Sequence, residues 1–187
     1  MNKSRCPWAK DPLDIEYHDN EWGRETHNDQ MLFEYLILEG MQAGLSWSLI
    51  LKKRENFKRA FDNFDYSICA NYTDEYLESL RQDASILRNK LKIYGVRKNA
   101  LAFLKVREEF GTFDNYIWQF TDFKTLSSNL KSYKDAPSNI ELSDKISKDM
   151  KKRGFTFVGS TIIYSYMQAI GMINDHQVDC FCYSDCR

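Results

Sequence analysis

The sequence has few prolines, glycines and histidines, no long hydrophobic run and almost no net charge. Three prolines in 187 residues leave few positions where a helix must end. No apolar stretch approaches the roughly 20 residues that a membrane-spanning helix requires, and residues 1–8 lack the apolar segment of a signal peptide. We therefore expect a cytoplasmic protein with no membrane partner.

The formal net charge of −1 provides no overall attraction to nucleic acid or to an anionic membrane. The basic side chains are nevertheless grouped in three clusters, at residues 52–59, 88–98 and 151–153. A solvated helix face is the usual explanation of such a cluster. If the chain binds DNA, it must therefore use local basic patches that contact phosphates.

Hydrophobic periodicity predicts an all-α protein, because no segment shows convincing period-two alternation and no internal repeat is present. Residues 125–139 read as a surface loop. Residues 1–28 carry turn signals with too many aromatic rings for a free tail, so we expect them to dock on the body. The 43% hydrophobic content allows one unit over residues 1–187, built of two interlocked helical subdomains. The predicted helices are 29–43, 46–62, 74–82, 90–109, 114–121, 141–153 and 159–171.

The five cysteines are an odd number, in a chain without an export signal. This argues against a disulfide framework and leaves thiol or metal chemistry open. Cys69 lies among apolar residues and is expected to be a small core side chain. The other four cysteines lie near the two ends of the sequence.

Cys6 and His18 near one end, with His176 and Cys180 near the other, form a candidate metal site. The i, i+4 spacing of the second pair would place both ligands on one face of a helical turn. Two thiolates and two imidazoles suit tetrahedral zinc, and a site with four protein ligands is structural. Cys182 and Cys186 compete as ligands, and core thiols with a surface histidine are the alternative to a metal.

An acid lies on the apolar face of the predicted helix 29–43. Leu36, Glu39 and Ala43 recur at helical spacing, which places the Glu39 carboxyl group away from solvent. The helix ends near Gly44, Leu45 lies on a short turn, and Ser46 is the expected N-cap of a helix that Trp47 opens. For Glu39 the alternative to a functional role is pairing with an internal arginine or with backbone donors. For Trp47 the alternative is plain core packing.

The second basic cluster lies in a helix–turn–helix arrangement. Thr73 is the expected cap of residues 74–82, a turn follows at 83–89, and a basic helix starts near Lys90. A helix N-terminus beside lysine and arginine can bind phosphate through free backbone N–H groups and the helix dipole. We expect Lys90, Arg97 and Lys98 to contact the DNA backbone. Further along, Ser165 and Gln168 lie on a helix face that could border a pocket.

These segments resemble the DNA-3-methyladenine glycosylase I family, a branch of the helix-hairpin-helix glycosylases. The resemblance covers nearly the whole chain in order and is highly specific. The matching pieces are Asp11-Pro12, Tyr17-His18-Asp19-Asn20-Glu21-Trp22-Gly23, Leu38-Glu39-Gly40, Gln42-Ala43-Gly44-Leu45-Ser46-Trp47, Leu51-Lys52-Lys53-Arg54-Glu55, Lys151-Lys152-Arg153-Gly154-Phe155, Phe157-Val158-Gly159 and Asn174-Asp175-His176 before Cys180.

The resemblance implies an all-α helix-hairpin-helix DNA glycosylase fold with one structural Zn²⁺ joining the N- and C-terminal segments. The implied zinc ligands are Cys6, His18, His176 and Cys180. The implied reaction takes N3-methyladenine out of alkylated double-stranded DNA and hydrolyses its N-glycosidic bond, leaving an abasic site. No lysine is clearly positioned to form a Schiff base, so we expect no lyase activity, and we expect a monomer with no obligate protein partner.

The resemblance also assigns roles to the residues around Glu39. Tyr17, Trp22 and Trp47 would hold the flipped base, with Ser165 beside it, and Leu45 would enter the duplex. Glu39 would accept hydrogen bonds from the base, and its negative charge would favour a cationic purine; it is also the candidate catalytic residue. The sequence departs from the family pattern at three positions, which are Asp14, Met41 and Ser85.

Two other functions remain possible from the sequence. One is a zinc-containing module that recognises damaged DNA without cutting the glycosidic bond. The other is a thiol-redox enzyme that uses Cys180, Cys182 and Cys186, which would require exposed thiols of low pKa.

Overall fold

Residues 4–186, which the computed structural model describes, fold into nine α-helices, three 3₁₀ turns and two very short strands. This confirms the predicted all-α class. None of the described helices is both long and apolar enough to cross a bilayer. The helices are α1 Pro12–Asn20, α2 Asp29–Gln42, α3 Trp47–Ala60, α4 Tyr66–Cys69, α5 Asp74–Leu80, α6 Lys90–Phe110, α7 Phe113–Trp118, α8 Glu141–Lys152 and α9 Ser160–Ala169; the 3₁₀ turns are Asp62–Phe64, Gln119–Thr121 and Tyr133–Asp135; the strands are β1 Leu126–Ser127 and β2 Ile173–Asn174.

Helix α2 lies at the centre of the fold, against α3, α6, α7 and α9. Nine of its fourteen residues are buried, because the sequence is apolar around most of the helix rather than along one stripe. Asn28 caps its first turn by accepting a hydrogen bond from the Met31 N–H at 3.1 Å. A single apolar core surrounds it, and Cys69 belongs to that core as predicted. The carboxyl-terminal end of α2, which carries Glu39, is therefore held from several sides.

The predicted helix ends are confirmed at three positions. Ser46 accepts from the Leu49 N–H at 3.3 Å at the start of α3, and Thr73 accepts from the Tyr76 N–H at 3.2 Å at the start of α5. Gly154 follows α8 with a φ of +94°, the left-handed region that glycine adopts after many helices. The sequence thus identified correctly where α3 and α5 begin and where α8 ends.

Helix α1 was not predicted, since residues 1–28 were interpreted as turns. Pro12 opens the helix at the position that proline prefers, but its polar and apolar residues form no clear stripe. The helix is instead held by its neighbours, and the buried Asp14 carboxylate accepts from the Ser48 hydroxyl on α3 at 2.8 and 2.9 Å. Asp14 therefore joins α1 to α3 and does not line a pocket.

Other differences from the prediction are small. Helix α4 was missed because it has a single turn, and residues 119–121 continue α7 as a 3₁₀ turn. The strands β1 and β2 pair in parallel over two residues each, too few for an alternating pattern. Residues 176–180 form two bends and one short turn rather than the expected helical turn.

The two ends of the described chain pack on each other. The N–H groups of Gly23 and Thr26 donate to the carbonyl oxygens of Gln168 and Ile170, each at 3.0 Å. Gly171 has a φ of +78°, and a Cβ placed there would lie 2.4 Å from the backbone carbon of Arg24. This close approach requires glycine, and it brings the segment after α1 against the segment after α9.

Candidate functional site

Four buried side chains from both ends of the chain meet in a cluster that fits a tetrahedral metal ion. The ligand atoms of Cys6, His18, His176 and Cys180 all lie within 4.8 Å of one another. His176 Nδ1 is 3.6 Å from each thiol sulfur, and His18 Nε2 is 3.5 Å from Cys180 Sγ. Tetrahedral bonds of about 2.3 Å to sulfur and about 2.0 Å to nitrogen imply an S–N separation of about 3.5 Å. The observed distances match that value.

The outward nitrogen of each histidine is also bonded, as at metal sites in general. His18 Nδ1 lies 2.8 Å from the Asp19 carboxylate, and His176 Nε2 lies 3.1 Å from the Trp22 carbonyl oxygen. Arg5 in turn donates to both oxygens of Asp19. These contacts orient His18 Nε2 and His176 Nδ1 toward the two thiols.

The two thiols of the cluster have opposite pKa shifts. A hydrogen bond from Cys6, followed by bonds from the two histidines, lowers the pKa of Cys180. The same bond to Cys180, together with burial, raises the pKa of Cys6. One of the two sulfurs therefore readily carries the negative charge that a metal ligand needs.

Cys182 and Cys186 lie outside the four-residue cluster although they are close in sequence. Both are buried. Burial raises the pKa of Cys182 to about 12 and also raises the pKa of Cys186. Buried thiols of raised pKa are poor nucleophiles, which argues against the thiol-redox hypothesis.

A cavity of about 140 Å³ lies beside the cysteine–histidine cluster. All five residues predicted to bind the base line it: Tyr17, Trp22, Glu39, Trp47 and Ser165. The remaining lining residues are Trp8, Gln42, Tyr133 and Gln168.

The sequence had signalled some of these four additional residues but not their place in the site. Gln168 lies on the α9 face that was expected to border a pocket, and Trp8 is one of the rings expected to dock on the body. Tyr133 was missed because it lies in the 3₁₀ turn of a segment interpreted as surface loop. No pattern indicated that this segment reaches the cavity.

The cavity has aromatic walls, one of which contacts the cysteine–histidine cluster. The Tyr17 and Trp47 rings lie 5.1 Å apart at 48°, and the Trp8 and Trp22 rings lie 5.0 Å apart at 78°. The Trp22 ring also meets the His176 ring edge-on at 4.6 Å. Since His176 is one of the candidate metal ligands, a metal would support one wall of the cavity.

Glu39 is 4% exposed and has no ionic partner among the described residues. Its Oε2 atom has no hydrogen bond, and neither have the buried Tyr17 hydroxyl, Trp8 Nε1 and Trp47 Nε1. Buried polar groups are nearly always bonded in folded proteins. Four such groups around one cavity are available to bond a ligand. No described arginine or backbone donor bonds Glu39, so that alternative is wrong.

Burial alone raises the pKa of Glu39 to about 8. Desolvation disfavours the charged carboxylate, and no nearby cation offsets it. The carboxyl group is therefore mostly neutral at pH 7 in the ligand-free protein. We expect Glu39 to carry the negative charge that favours a cationic purine once such a base is bound.

The turn after α2 carries Leu45 between Gln42 and Trp47, which both line the cavity. Gly44 has a φ of +79°, and Leu45 is 40% exposed despite its large apolar side chain. The buried Lys92 ammonium donates to the carbonyl oxygens of Met41 and Ala43, each at 2.8 Å. Lys92 therefore holds the end of α2 and the turn in place from α6.

The three predicted DNA-binding cations have different surroundings. The Arg97 guanidinium donates to the Tyr72 carbonyl oxygen at 2.7 Å and to Asp74 at 2.6 Å. Lys90 is more than half exposed and lies 3.5 Å from Glu78. Lys98 is exposed, and no described carboxylate lies within 4 Å of its ammonium group. Lys98 is thus the most available to a phosphate, whereas Arg97 joins α6 to α5.

Comparison with known proteins places these features in one family. The model of the methyladenine glycosylase family matches residues 8–183. The DNA-3-methyladenine glycosylase 1 of Escherichia coli K12 is 45% identical over 180 residues, which cover 96% of each chain.

Two solved structures resemble this chain throughout. A crystal structure of 3-methyladenine DNA glycosylase I superposes with a TM-score of 0.92 at 45% identity, covering 96% of this chain and 99% of that one. A variant of 3-methyladenine DNA glycosylase I in complex with 3-methyladenine superposes with a TM-score of 0.90 at 30% identity, covering 92% of each chain.

Proposed function

The chain belongs to the methyladenine glycosylase family, and we propose that it excises N3-methyladenine from alkylated double-stranded DNA by hydrolysis. The observation that carries this proposal is the aromatic cavity around Glu39, in which four buried polar groups lack partners. A purine supplies both flat faces for the rings and edge atoms for the polar groups. A relative of the same fold is known with 3-methyladenine bound.

Recognition of the damaged base follows from its charge. Methylation at N3 makes the purine cationic within the nucleotide, and each aromatic face then contributes about 0.5–2 kcal/mol of cation–π attraction. A cation beside Glu39 also lowers the pKa of that carboxyl group, so the base binds with release of a proton. An unmethylated, neutral adenine gains neither contribution. Glu39 thus acts in recognition of the base.

The base must leave the duplex to enter the cavity, at an unstacking cost of a few kcal/mol. Leu45 is exposed on a turn held by Lys92, so its side chain can fill the gap without rearrangement of the protein. Lys98 and the N-terminus of α6 bind the phosphates near the flipped nucleotide. We assign Lys90 a weaker phosphate contact and Arg97 a structural role.

The bond that breaks is the one between C1′ of the sugar and N9 of the base. The cationic base leaves with the bonding electrons, and the sugar passes through an oxocarbenium-like state that water attacks at C1′. No lysine is among the described residues that line the cavity. We therefore propose hydrolysis without a lyase step, and an enzyme–DNA adduct trapped by borohydride would contradict it.

We further propose that Cys6, His18, His176 and Cys180 hold one Zn²⁺ per chain. Four protein ligands leave no open coordination position, so the ion supplies structure and no chemistry to the reaction. It would join the two terminal segments and the Trp22 wall of the cavity into one glycosylase unit, which acts as a monomer.

The proposal is tested by the release of free 3-methyladenine from methylated duplex DNA. We expect release by the wild type, and at least tenfold slower release by Glu39→Gln and Trp47→Ala, with zinc content unchanged. Glu108→Gln, at an exposed position on α6, is the matched control and should act as the wild type does. DNA binding without base release by folded, zinc-loaded protein would instead identify a damage-recognition module, and normal excision by Glu39→Gln would contradict the role of Glu39.

A further inference from the structure

Asp175 is a buried carboxylate that belongs neither to the cysteine–histidine cluster nor to the residues that line the cavity. It is 1% exposed. Its Oδ2 atom accepts from the Tyr164 hydroxyl at 2.5 Å and from Gln168 Nε2 at 2.6 Å. Gln168 does line the cavity. Asp175 is therefore linked to the cavity through the Gln168 amide.

This link determines which way the amide points. A glutamine amide can exchange its oxygen and its NH₂ group by rotating about its last bond, and both orientations fill the same space. A carboxylate accepts hydrogen bonds and donates none, so Asp175 admits the NH₂ group and repels the oxygen. The Oε1 atom of Gln168 then lies on the edge of the amide that faces away from Asp175.

We propose that Gln168 presents Oε1 to the exocyclic amine of the flipped base, and that Asp175 is the positioning residue that holds it in this orientation. An exocyclic amine has two N–H groups, and both need acceptors when the base is buried. The Glu39 carboxylate, ionised once the cationic base is bound, is one acceptor in the cavity, and Gln168 Oε1 is the second. The pair thereby selects a methylated adenine over a methylated guanine, which carries a carbonyl oxygen at the same ring position.

The selection is strong because it uses buried polar groups. A carbonyl oxygen placed against two acceptors leaves all three without donors, and sites built to bond an N–H group reject analogues that lack it. The inference rests on the proposed function for the identity of the base. It extends that function by assigning the choice between two methylated purines to a residue outside the aromatic walls.

The test compares the release of 3-methyladenine and 3-methylguanine from the same methylated duplex. Asp175→Asn can donate to Gln168 Oε1, which frees the amide to turn and offer N–H groups to the base. We expect Asp175→Asn and Gln168→Met to lower the adenine-to-guanine release ratio about tenfold or more. Tyr164→Phe removes the other donor to the same carboxylate and should keep the wild-type ratio, and zinc content shows that the neighbouring His176 is undisturbed.

An unchanged ratio in both Asp175→Asn and Gln168→Met overturns the inference, even if their rates fall, because slower release alone would indicate a structural role. The proposed function fails separately if the wild type releases neither base. In that event the dissociation constants of the two free bases, measured by quenching of tryptophan fluorescence above pH 8, where Glu39 is ionised without a bound cation, decide the inference. Equal preference in wild type and variants contradicts it, and a loss of preference in the variants supports it.

Discussion

Glu39 differs from the other buried acids of the described chain in the donors that face it. The Asp14 carboxylate accepts from the Ser48 hydroxyl, and the Asp175 carboxylate accepts from Tyr164 and Gln168. No described donor bonds either oxygen of Glu39, whereas each of the other two carboxylates has at least one bonded oxygen. An unbonded buried carboxyl group costs stability, and a protein tolerates that cost where a ligand supplies the missing partner.

The raised pKa of Glu39 predicts how stability depends on pH. The folded protein keeps this proton up to a pKa of about 8, whereas the unfolded chain gives it up near its usual value of about 4.3. Between these values the folded state binds more protons, so the free energy of unfolding falls as pH rises. Glu39→Gln has no proton to lose and escapes this fall.

We expect the stability of Glu39→Gln relative to the wild type to increase by roughly 2–4 kcal/mol between pH 5 and pH 8. Urea unfolding at several pH values measures it, without DNA and with zinc bound. Glu108→Gln, at an exposed site on α6, is the control and should track the wild type. A pH-independent difference for Glu39→Gln would mean that the carboxyl group is already ionised in the folded protein.

The elements show which parts of the fold the sequence determines locally. Helices α2, α3 and α6 were predicted within a few residues because each has a polar cap and a long apolar pattern. Helix α1 was missed since its contacts with α3, such as Asp14 with Ser48, come from tertiary packing. The site residues Glu39 and Trp47 could be predicted from their spacing on two consecutive helices and from the family resemblance.

The remaining site residues depend on contacts between distant segments. Tyr133 reaches the cavity because its segment is anchored to the C-terminal turns, where the Val178 N–H donates to the Leu130 carbonyl oxygen at 2.9 Å. The orientation of Gln168 depends on Asp175, which lies beyond the end of α9. Helical periodicity carries no information about such contacts.

Lys92 connects α6 to the turn that carries Leu45, so removing its ammonium group is expected to lower the stability of the folded protein. Lys92→Met keeps the length of the side chain but leaves the Met41 and Ala43 carbonyl oxygens without their donor. Loss of hydrogen bonds from a charged group costs about 1.5–3 kcal/mol. We expect the free energy of unfolding, measured in urea, to fall by about 2 kcal/mol.

Lys98→Met on the same helix is the matched control, because Lys98 is exposed and such substitutions usually stay within about 0.5 kcal/mol. DNA binding by Lys98→Met should depend less on salt concentration than DNA binding by Lys92→Met, because only Lys98 is expected to contact a phosphate. Lys98→Met should weaken DNA binding by removing a phosphate contact, whereas Lys92→Met should slow release at equal DNA binding, through the displaced turn. Equal stability of the two variants would contradict the role of Lys92.

At the scale of the whole molecule, the cysteine–histidine cluster joins residues that are up to 174 positions apart, from Cys6 to Cys180. Because folding creates the site, the free energy of metal binding adds to the free energy of folding. The aromatic wall formed by Trp22 depends on the same cluster through His176.

Removal of the metal is therefore expected to lower thermal stability and base release together. Cys180→Ala should lose zinc, which atomic absorption measures per chain. It should also melt at least about 10 °C below the wild type. At this chain length about 1 kcal/mol of lost stability corresponds to roughly 2–4 °C. Cys182→Ala and Cys186→Ala are the controls within the same turns and should keep one zinc per chain.

The three variants also decide which thiols are ligands. Zinc loss in Cys182→Ala with retention in Cys180→Ala would contradict the proposed ligand set. Zinc loss in Cys180→Ala with unchanged melting would mean that packing alone holds the two ends together. Zinc loss in Cys182→Ala alone would place the metal away from His176 and the Trp22 wall. Unchanged melting of zinc-free Cys180→Ala would mean that the cavity stays intact without the metal. Base release by metal-free Cys180→Ala then shows whether the wall depends on the ion, because an intact cavity still excises the base.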